Sequence, residues 1–354
     1  MKNKKAQVQH VFFWIFILIA GTLILIFFIS IALHQKTISE YKIASLILSD
    51  LQPILAGAMA VEETFNKVEL PKAKLEFICD PNTLYSEYSV KGTGIHIETP
   101  TEIFFSPTEL THETLYTWTL QFNAPFPVSN ALALTSPENL YVFIYDQSSE
   151  DSKDLAQYIY DQIPPQINIE MIGKNRINSI NPIPYKNIKF VFFTEPSKII
   201  IPEQILKKSK AIKITENAVV FLKKTTDGFS SGISYPIQKI SYPSYPRDPQ
   251  DFITYAAIFS ADSNQFKCQI KKLLRRYDFQ RRIYLDYTKK LSQQTEGTAC
   301  QPIYGGIINL LSPTQTQINL TQPSKSLSSI LNSAQQIEQQ QNNQLEQNGC
   351  PQIY

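Results

Sequence analysis

The hydrophobic and polar positions divide the chain into one long apolar block and a body of mixed character. Residues 11–33 contain no charged side chain and are mostly Ile, Leu, Phe and Val. A helix of this length, at about 1.5 Å per residue, is roughly 34 Å long, whereas the hydrocarbon core of a bilayer is about 30 Å thick. The pattern therefore predicts a transmembrane helix over residues 11–33, with the lipid bilayer as its partner.

The charges that flank this block predict its orientation. Lys2, Lys4 and Lys5 precede it without an acidic residue, and mixed charges follow it. Because positive charge is enriched on the cytoplasmic side, we expect residues 1–10 to form a cytoplasmic basic leader and the bulk of the chain to be extracytoplasmic. The alternative is a secretory signal cleaved near residues 30–32, but the apolar run is longer than the usual hydrophobic region of a signal peptide.

After the block, apolar positions first recur at three- and four-residue spacing and then fall into short runs. The first pattern predicts a juxtamembrane helix over residues 34–67, which Pro53 is expected to end or bend. Residues 68–136 consist of short apolar runs between turn residues, which is typical of a β-rich layer. Its predicted strands cover residues 75–79, 94–98 and 114–120.

The rest of the chain predicts an α/β unit followed by helices. Residues 137–225 alternate apolar strands with helices, a pattern typical of a small α/β sandwich. Residues 226–250 are rich in Pro, Ser and Tyr and are interpreted as a linker, and residues 251–354 as a C-terminal helical region. The expected fold class is α+β. The predicted strands are residues 140–145, 167–172, 188–193, 211–215 and 218–222, and the predicted helices are residues 149–163, 202–208, 251–261, 263–294 and one within 312–348.

Composition and motifs give little indication of catalysis. The net charge is +2, so no nucleic-acid partner is expected, and 11 glycines against 22 prolines argue against glycine-rich phosphate loops. The four histidines form no ligand pair, and no common hydrolase, metalloprotease or phosphate-loop motif occurs. We therefore expect no catalytic residue and no cofactor, and the chain is not predicted to be an enzyme.

A strongly basic stretch covers residues 267–290, with nine Lys and Arg against two Asp. Anionic lipid or nucleic acid would suit such a helix. However, Ile270, Leu274 and Tyr277 give the helix an apolar face, which favours the interpretation that its charges simply form the side that faces water.

The four cysteines predict disulfides, because an extracytoplasmic body lies in an oxidising environment and an even number of cysteines can pair completely. Four cysteines allow three pairings. We favour Cys268–Cys300 and Cys79–Cys350; the alternative is four reduced, buried thiols. Zinc is disfavoured, since no Cys-x-x-Cys occurs and no histidine lies near a cysteine in the sequence. Asn319 begins an Asn-Leu-Thr sequon and is a glycosylation candidate.

Asp146 is a weak candidate metal ligand, together with Ser148. It ends the first predicted strand of the α/β unit and precedes a predicted helix, and a carboxylate there can hold a divalent ion. The same residues also fit an ordinary helix N-cap without further function.

The leader resembles a known class of processed N-termini. Lys4-Lys5-Ala6-Gln7, followed by a long apolar helix, resembles the class III leader of archaeal type IV pilin-like proteins. The resemblance implies cleavage by a membrane peptidase between Ala6 and Gln7. The acidic residue that the family carries five positions after the cut, where it helps subunits to assemble, is replaced here by Val11. The alternative is a basic stop before an ordinary anchor.

The wider chain is similar to uncharacterised single-pass, membrane-anchored proteins of small-genome (DPANN) archaea, and this similarity implies no activity. The features that carry it are the leader, Val68-Glu69-Leu70-Pro71 before Phe77-Ile78-Cys79, Trp118 before Pro125-Phe126 and Leu134-Thr135, Ala257-Ile258-Phe259-Ser260 before Cys268, and Cys350 before Tyr354.

Three hypotheses follow. The first is a membrane-anchored extracytoplasmic structural or binding protein, with other surface or membrane proteins as further partners. The second is a pilin-like or secretion-system subunit processed after Ala6. The third is an extracytoplasmic metal-dependent enzyme or adhesion domain centred on Asp146. The sequence indicates neither the ligand nor the oligomeric state.

Overall fold

A computed structural model describes residues 4–62, 64–196, 199–237, 249–313 and 318–354. Its first element, helix α1, is Lys4–Ala60, and it joins the predicted transmembrane segment to the juxtamembrane helix in one element of 57 residues. The large apolar side chains from Phe13 to Leu33 are exposed. Within the described residues, α1 is the one helix long and apolar enough to cross a membrane.

The second half of α1 belongs to the core of the body. Ala44, Ile47, Leu48 and Leu51 recur on one face of the helix and are at most 1% exposed. Pro53 lies inside α1 and neither ends the helix nor interrupts it before Ala60. The predicted helix over residues 34–67 was therefore too long, because the chain turns into a strand at Phe65.

Two four-stranded sheets form the β-rich layer, as predicted, and pack against α1. One sheet has the order β1-β7-β8-β5 and the other the order β4-β3-β2-β6. Leu48 and Leu51 of α1 share an apolar cluster with residues of both sheets. The strands are β1 Phe65–Glu69, β2 Leu75–Cys79, β3 Ser86–Val90, β4 His96–Glu98, β5 Phe104–Phe105, β6 Glu109–Leu110, β7 Thr114–Asn123 and β8 Pro127–Thr135.

A six-stranded sheet forms the α/β unit, in the order β10-β9-β11-β12-β13-β14. Strands β10, β9, β11 and β12 are parallel, whereas β13 and β14 are antiparallel. Helix α2, Glu150–Gln162, connects β9 to β10, as the alternation of strand and helix predicted. The other elements are β9 Asn139–Tyr145, β10 Ile169–Gly173, a 3₁₀ helix at Lys174–Ser179, β11 Asn187–Phe192, α3 Glu203–Lys207, β12 Ser209–Thr215, β13 Ala218–Lys224 and β14 Phe229–Pro236.

Strand β14 corrects the interpretation of residues 226–250 as a linker. It pairs with β13 and buries Phe229 and Tyr235. Its serines and glycine are typical of a loop, so the sequence did not indicate the strand that forms the edge of the sheet. Residues 238–248 of the predicted linker lie outside the described residues.

The C-terminal helices pack into the same core as the sheets. Helix α4, Pro249–Phe259, and the two residues after it are buried over residues 252–261, and the helix contacts both neighbouring sheets. The ring centroids of Tyr255 and Trp118 of β7 are 5.0 Å apart, and those of Phe259 and Tyr141 of β9 are also 5.0 Å apart. The helices are α4 Pro249–Phe259, α5 Ser263–Gln294, α6 Cys300–Leu311, α7 Pro323–Gln336, a π-helical turn Ile337–Asn342 and α8 Asn343–Gln347. The α+β fold class is confirmed.

Candidate functional site

The four cysteines form two disulfides, but the predicted pairing is wrong. Cys79 of β2 is bonded to Cys268 of α5, and Cys300 at the start of α6 is bonded to Cys350 near the C-terminus. The Cα atoms are 5.9 Å and 5.7 Å apart, respectively. The sequence did not reveal that α5 crosses β2, which brings together residues 189 positions apart.

Asp146 is bound by donors on both carboxylate oxygens. Lys174 Nζ donates to its Oδ2 at 2.5 Å, and the Ser148 hydroxyl donates to its Oδ1 at 2.6 Å. The bond from Lys174, followed by those from Ser148, lowers the pKa of Asp146 to about 2. Ser149 caps α2, accepting from the backbone N–H of Ser152 at 3.3 Å. An ammonium group thus stands where a cation would bind, so this geometry does not favour a metal.

No other part of the described chain offers an evident metal site. Among residues 13–62, 64–196, 199–237, 252–313 and 318–354, no group of three or more His, Cys, Asp or Glu side chains could hold a metal ion. Asp146 takes part in an ion pair with Lys174 and in a turn with Ser148.

The basic helix α5 is not simply a charged face turned to water. Lys272 is 4% exposed and donates to Ser86 Oγ and to the carbonyl oxygens of Thr99 and Glu102. Arg281, also 4% exposed, donates to the carbonyl of Leu311 at 2.6 Å. These side chains join α5 to strand β3, to the loop at residues 99–102 and to the end of α6. The interpretation of the stretch as a solvated face is thereby corrected.

The structure describes the predicted glycosylation residue in more detail than the two residues of the predicted cleavage site. Ala6 and Gln7 lie within α1, where only their backbone is described. Asn319 is exposed, and its Oδ1 accepts from the Thr321 hydroxyl at 2.7 Å. The sequon is therefore accessible.

A cavity of about 230 Å³ lies where α4 ends against the first residues of β9, β11 and β12. Its apolar wall includes Leu140, Tyr141 and Phe259, and its basic residues are Lys189, Lys208 and Lys210. Sequence reasoning did not find this site. Its one local signal is Lys189, a charged residue inside the apolar run of β11.

Lys189 is buried beneath this cavity. Its Nζ donates to the carbonyl oxygen of Ser260 at 2.7 Å and lies 5.3 Å from the centroid of the Phe221 ring. Burial, followed by the charge of nearby Lys210, lowers the pKa of Lys189 to about 7, and Asp262 opposes the shift. The site thus holds a buried lysine whose charged form is poorly compensated by the protein.

A second, wider cavity adjoins the first and adds to its positive charge. The two share Lys189, Lys208 and Lys210 in their walls. Asp262, the acidic residue of the second wall, lies 3.8 Å from Lys210 across an exposed contact. Of the further lysines of this cavity, Lys186 pairs with Glu138 and Lys207 with Glu203, and Lys223 and Lys224 add to the charge. The arrangement can attract and hold an anion.

Comparison with known proteins adds no assignment to this geometry. No family model matches the chain, and no curated protein or solved structure matches it. The similarity to membrane-anchored archaeal proteins and to class III leaders stays a prediction.

Proposed function

We propose that the protein is a single-pass, membrane-anchored binding protein whose body lies outside the cytoplasm. The observation that carries the proposal is the continuity of α1. One half of this helix exposes apolar side chains from Phe13 to Leu33, and the other half is built into the core. An apolar surface of this length without a protein cover is stable in lipid but not in water.

The second half of α1 gives this anchor a rigid connection to the body. Because Leu48, Leu51 and Leu55 are buried against the β-rich layer, the body is held by the helix itself and not by a flexible linker. The lysines before the apolar block and the two disulfides support an extracytoplasmic body. The lysine-lined cavity supports binding as its role.

Extraction of membranes tests the anchor. We expect the full-length chain to remain in the pellet after an alkaline wash and to require detergent for release. A double substitution, Ile24→Arg with Phe27→Arg, places two charges within the apolar block, each costing about 2.5–3.5 kcal/mol at a helix centre, and should release a larger fraction. Substitution of exposed Lys36 and Lys42 by Arg is the matched control and should change nothing. Wild-type protein in the supernatant would contradict the proposal.

A second candidate, a pilin-like subunit, is favoured by the same exposed half of α1. Apolar helices that project from a body can be covered by one another as well as by lipid. This function requires processing after Ala6, so the mature chain would begin at Gln7. Mass spectrometry of the purified protein decides between the two, because an intact Met1 excludes the processed subunit.

A further inference from the structure

We propose that the cavity at Lys189 binds a small organic oxyanion, a phosphate or sulfate ester carried on an apolar group. The inference names the ligand class of the proposed binding function and rests on it. Three observations carry it: a buried ammonium without a carboxylate, further lysines around the same space, and an apolar wall opposite them.

The first observation concerns Lys189. Its side chain is 9% exposed, and its hydrogen bond to the Ser260 carbonyl uses one of the three donors of an ammonium. A buried charge is normally compensated by an opposite charge. Within the described part of the chain, no carboxylate forms an ion pair with Lys189. An oxyanion in the cavity would supply the missing charge.

The second observation is that the neighbouring lysines reinforce this charge. Lys210 is the register partner of Lys189 on the adjacent strand, so both side chains leave the same face of the sheet. Lys208 donates to the carbonyls of Pro182 and Tyr185, which carry no charge. Burial, followed by the charge of Lys210, lowers the pKa of Lys224. These groups repel one another, and a bound anion would relieve the repulsion.

The acidic residues near the cavity do not cancel this charge. Asp262 contacts Lys210 at 3.8 Å with about half of each side chain exposed, so the pair is weak. Glu109 lines the cavity but is bound by Lys74 and Lys91. The space therefore keeps a positive potential.

The third observation concerns the apolar part of the ligand and its size. Leu140, Tyr141, Ile258 and Phe259 line the cavity beside the lysines, so an apolar group can be buried while its oxyanion meets the ammonium groups. A volume of about 230 Å³ lies below the usual range of about 300–1,000 Å³ for ligand pockets. The ligand is accordingly small.

Calorimetry on the full-length protein in a neutral detergent tests the proposal, with phenyl phosphate as the probe. We expect phenyl phosphate to bind more tightly than either control probe. Inorganic phosphate keeps only the oxyanion, and benzyl alcohol keeps only the apolar ring. Loss of one charge-assisted hydrogen bond weakens binding about tenfold or more, so Lys210→Ala and Lys189→Met should both lower the affinity to that extent. Lys153→Ala, which removes an exposed lysine of α2, is the matched control and should bind as the wild type does.

Each alternative result has a defined meaning. No binding of phenyl phosphate, binding of benzyl alcohol with equal affinity, or an equal loss in Lys153→Ala would overturn the proposal. Since Lys210 is exposed, Lys210→Ala tests the site even where Lys189→Met does not fold. Dihexanoyl phosphatidate serves as a lipid probe: tighter binding than phenyl phosphate identifies a lipid headgroup as the source, and weaker binding a soluble ester. The assay does not depend on the membrane side, so its failure and that of the alkaline extraction are distinguishable.

Discussion

At the scale of single residues, buried lysines are the main departure from what the sequence indicated. Lys189 and Lys272 are buried and donate to neutral oxygens. In the sequence, Lys189 is one charged position within a predicted strand, and Lys272 is one of several within a predicted basic helix. Their burial depends on which loops and helices lie beside them, and these neighbours come from distant parts of the chain.

The lowered pKa of Lys189 predicts a pH-dependent stability. The folded group titrates near pH 7 and the unfolded group near its ordinary value of 10.5. Between these values the unfolded chain binds the proton and the folded chain does not, so the free energy of unfolding rises with pH; below about pH 7 both are protonated and the contribution is at its lowest. Urea unfolding should show a rise of about 1–3 kcal/mol from pH 7 to pH 9.

The Lys189→Met variant identifies the source of this dependence. It should lose most of the rise, whereas Lys290→Met, a change at an exposed lysine of α5, should keep it. Lys272, whose pKa burial lowers to about 8, also contributes to the rise. Equal profiles for wild type and Lys189→Met would show that Lys189 is not the titrating group.

Lys272 also predicts a local loss of stability. Its ammonium donates to the carbonyls of Thr99 and Glu102. The Thr99 carbonyl also accepts from the Ser86 hydroxyl, so the Glu102 carbonyl is the acceptor that loses its donor, at a cost of about 1–3 kcal/mol. Lys272→Met should therefore lower the free energy of unfolding by a few kcal/mol, as measured with urea at pH 7. Lys290→Met is again the matched control, and a loss equal in both variants would contradict the assignment.

At the scale of elements, periodicity predicted the regular segments well. Helix α5 was expected over residues 263–294 and is Ser263–Gln294, because its apolar positions recur at helical spacing and Asp262 caps its start. Strand β2 also has the predicted bounds. Strand β14 was missed because its composition is that of a loop, and only pairing with β13 makes it a strand.

The disulfides show the same limit of local patterns, and they give a direct chemical test. Non-reducing digestion and mass spectrometry should yield linked peptides containing Cys79 with Cys268 and Cys300 with Cys350. The double variant Cys79→Ser with Cys268→Ser should lose a few kcal/mol of stability, since it frees α5 from β2. A linked peptide containing Cys268 and Cys300 would contradict the observed packing of α5.

At the scale of the whole molecule, the α+β class and the order of its parts follow from the sequence, but the way the parts share a core does not. The C-terminal helices looked like a separate region. In the structure, α4 contacts β7 through Tyr255 and β9 through Phe259, so the sheets and the C-terminal helices share one core. The lysine-lined cavity lies at this junction, which is why no single segment revealed it.

The position of this body relative to the bilayer is the central claim, and cysteine labelling on intact cells tests it most directly. The wild-type chain has no free thiol, so a membrane-impermeant maleimide should not label it. The variant Lys153→Cys, exposed on α2, should be labelled on intact cells, whereas Asn3→Cys in the leader should be labelled only after lysis. The reverse pattern, or labelling of Lys153→Cys only after lysis, would contradict an extracytoplasmic body.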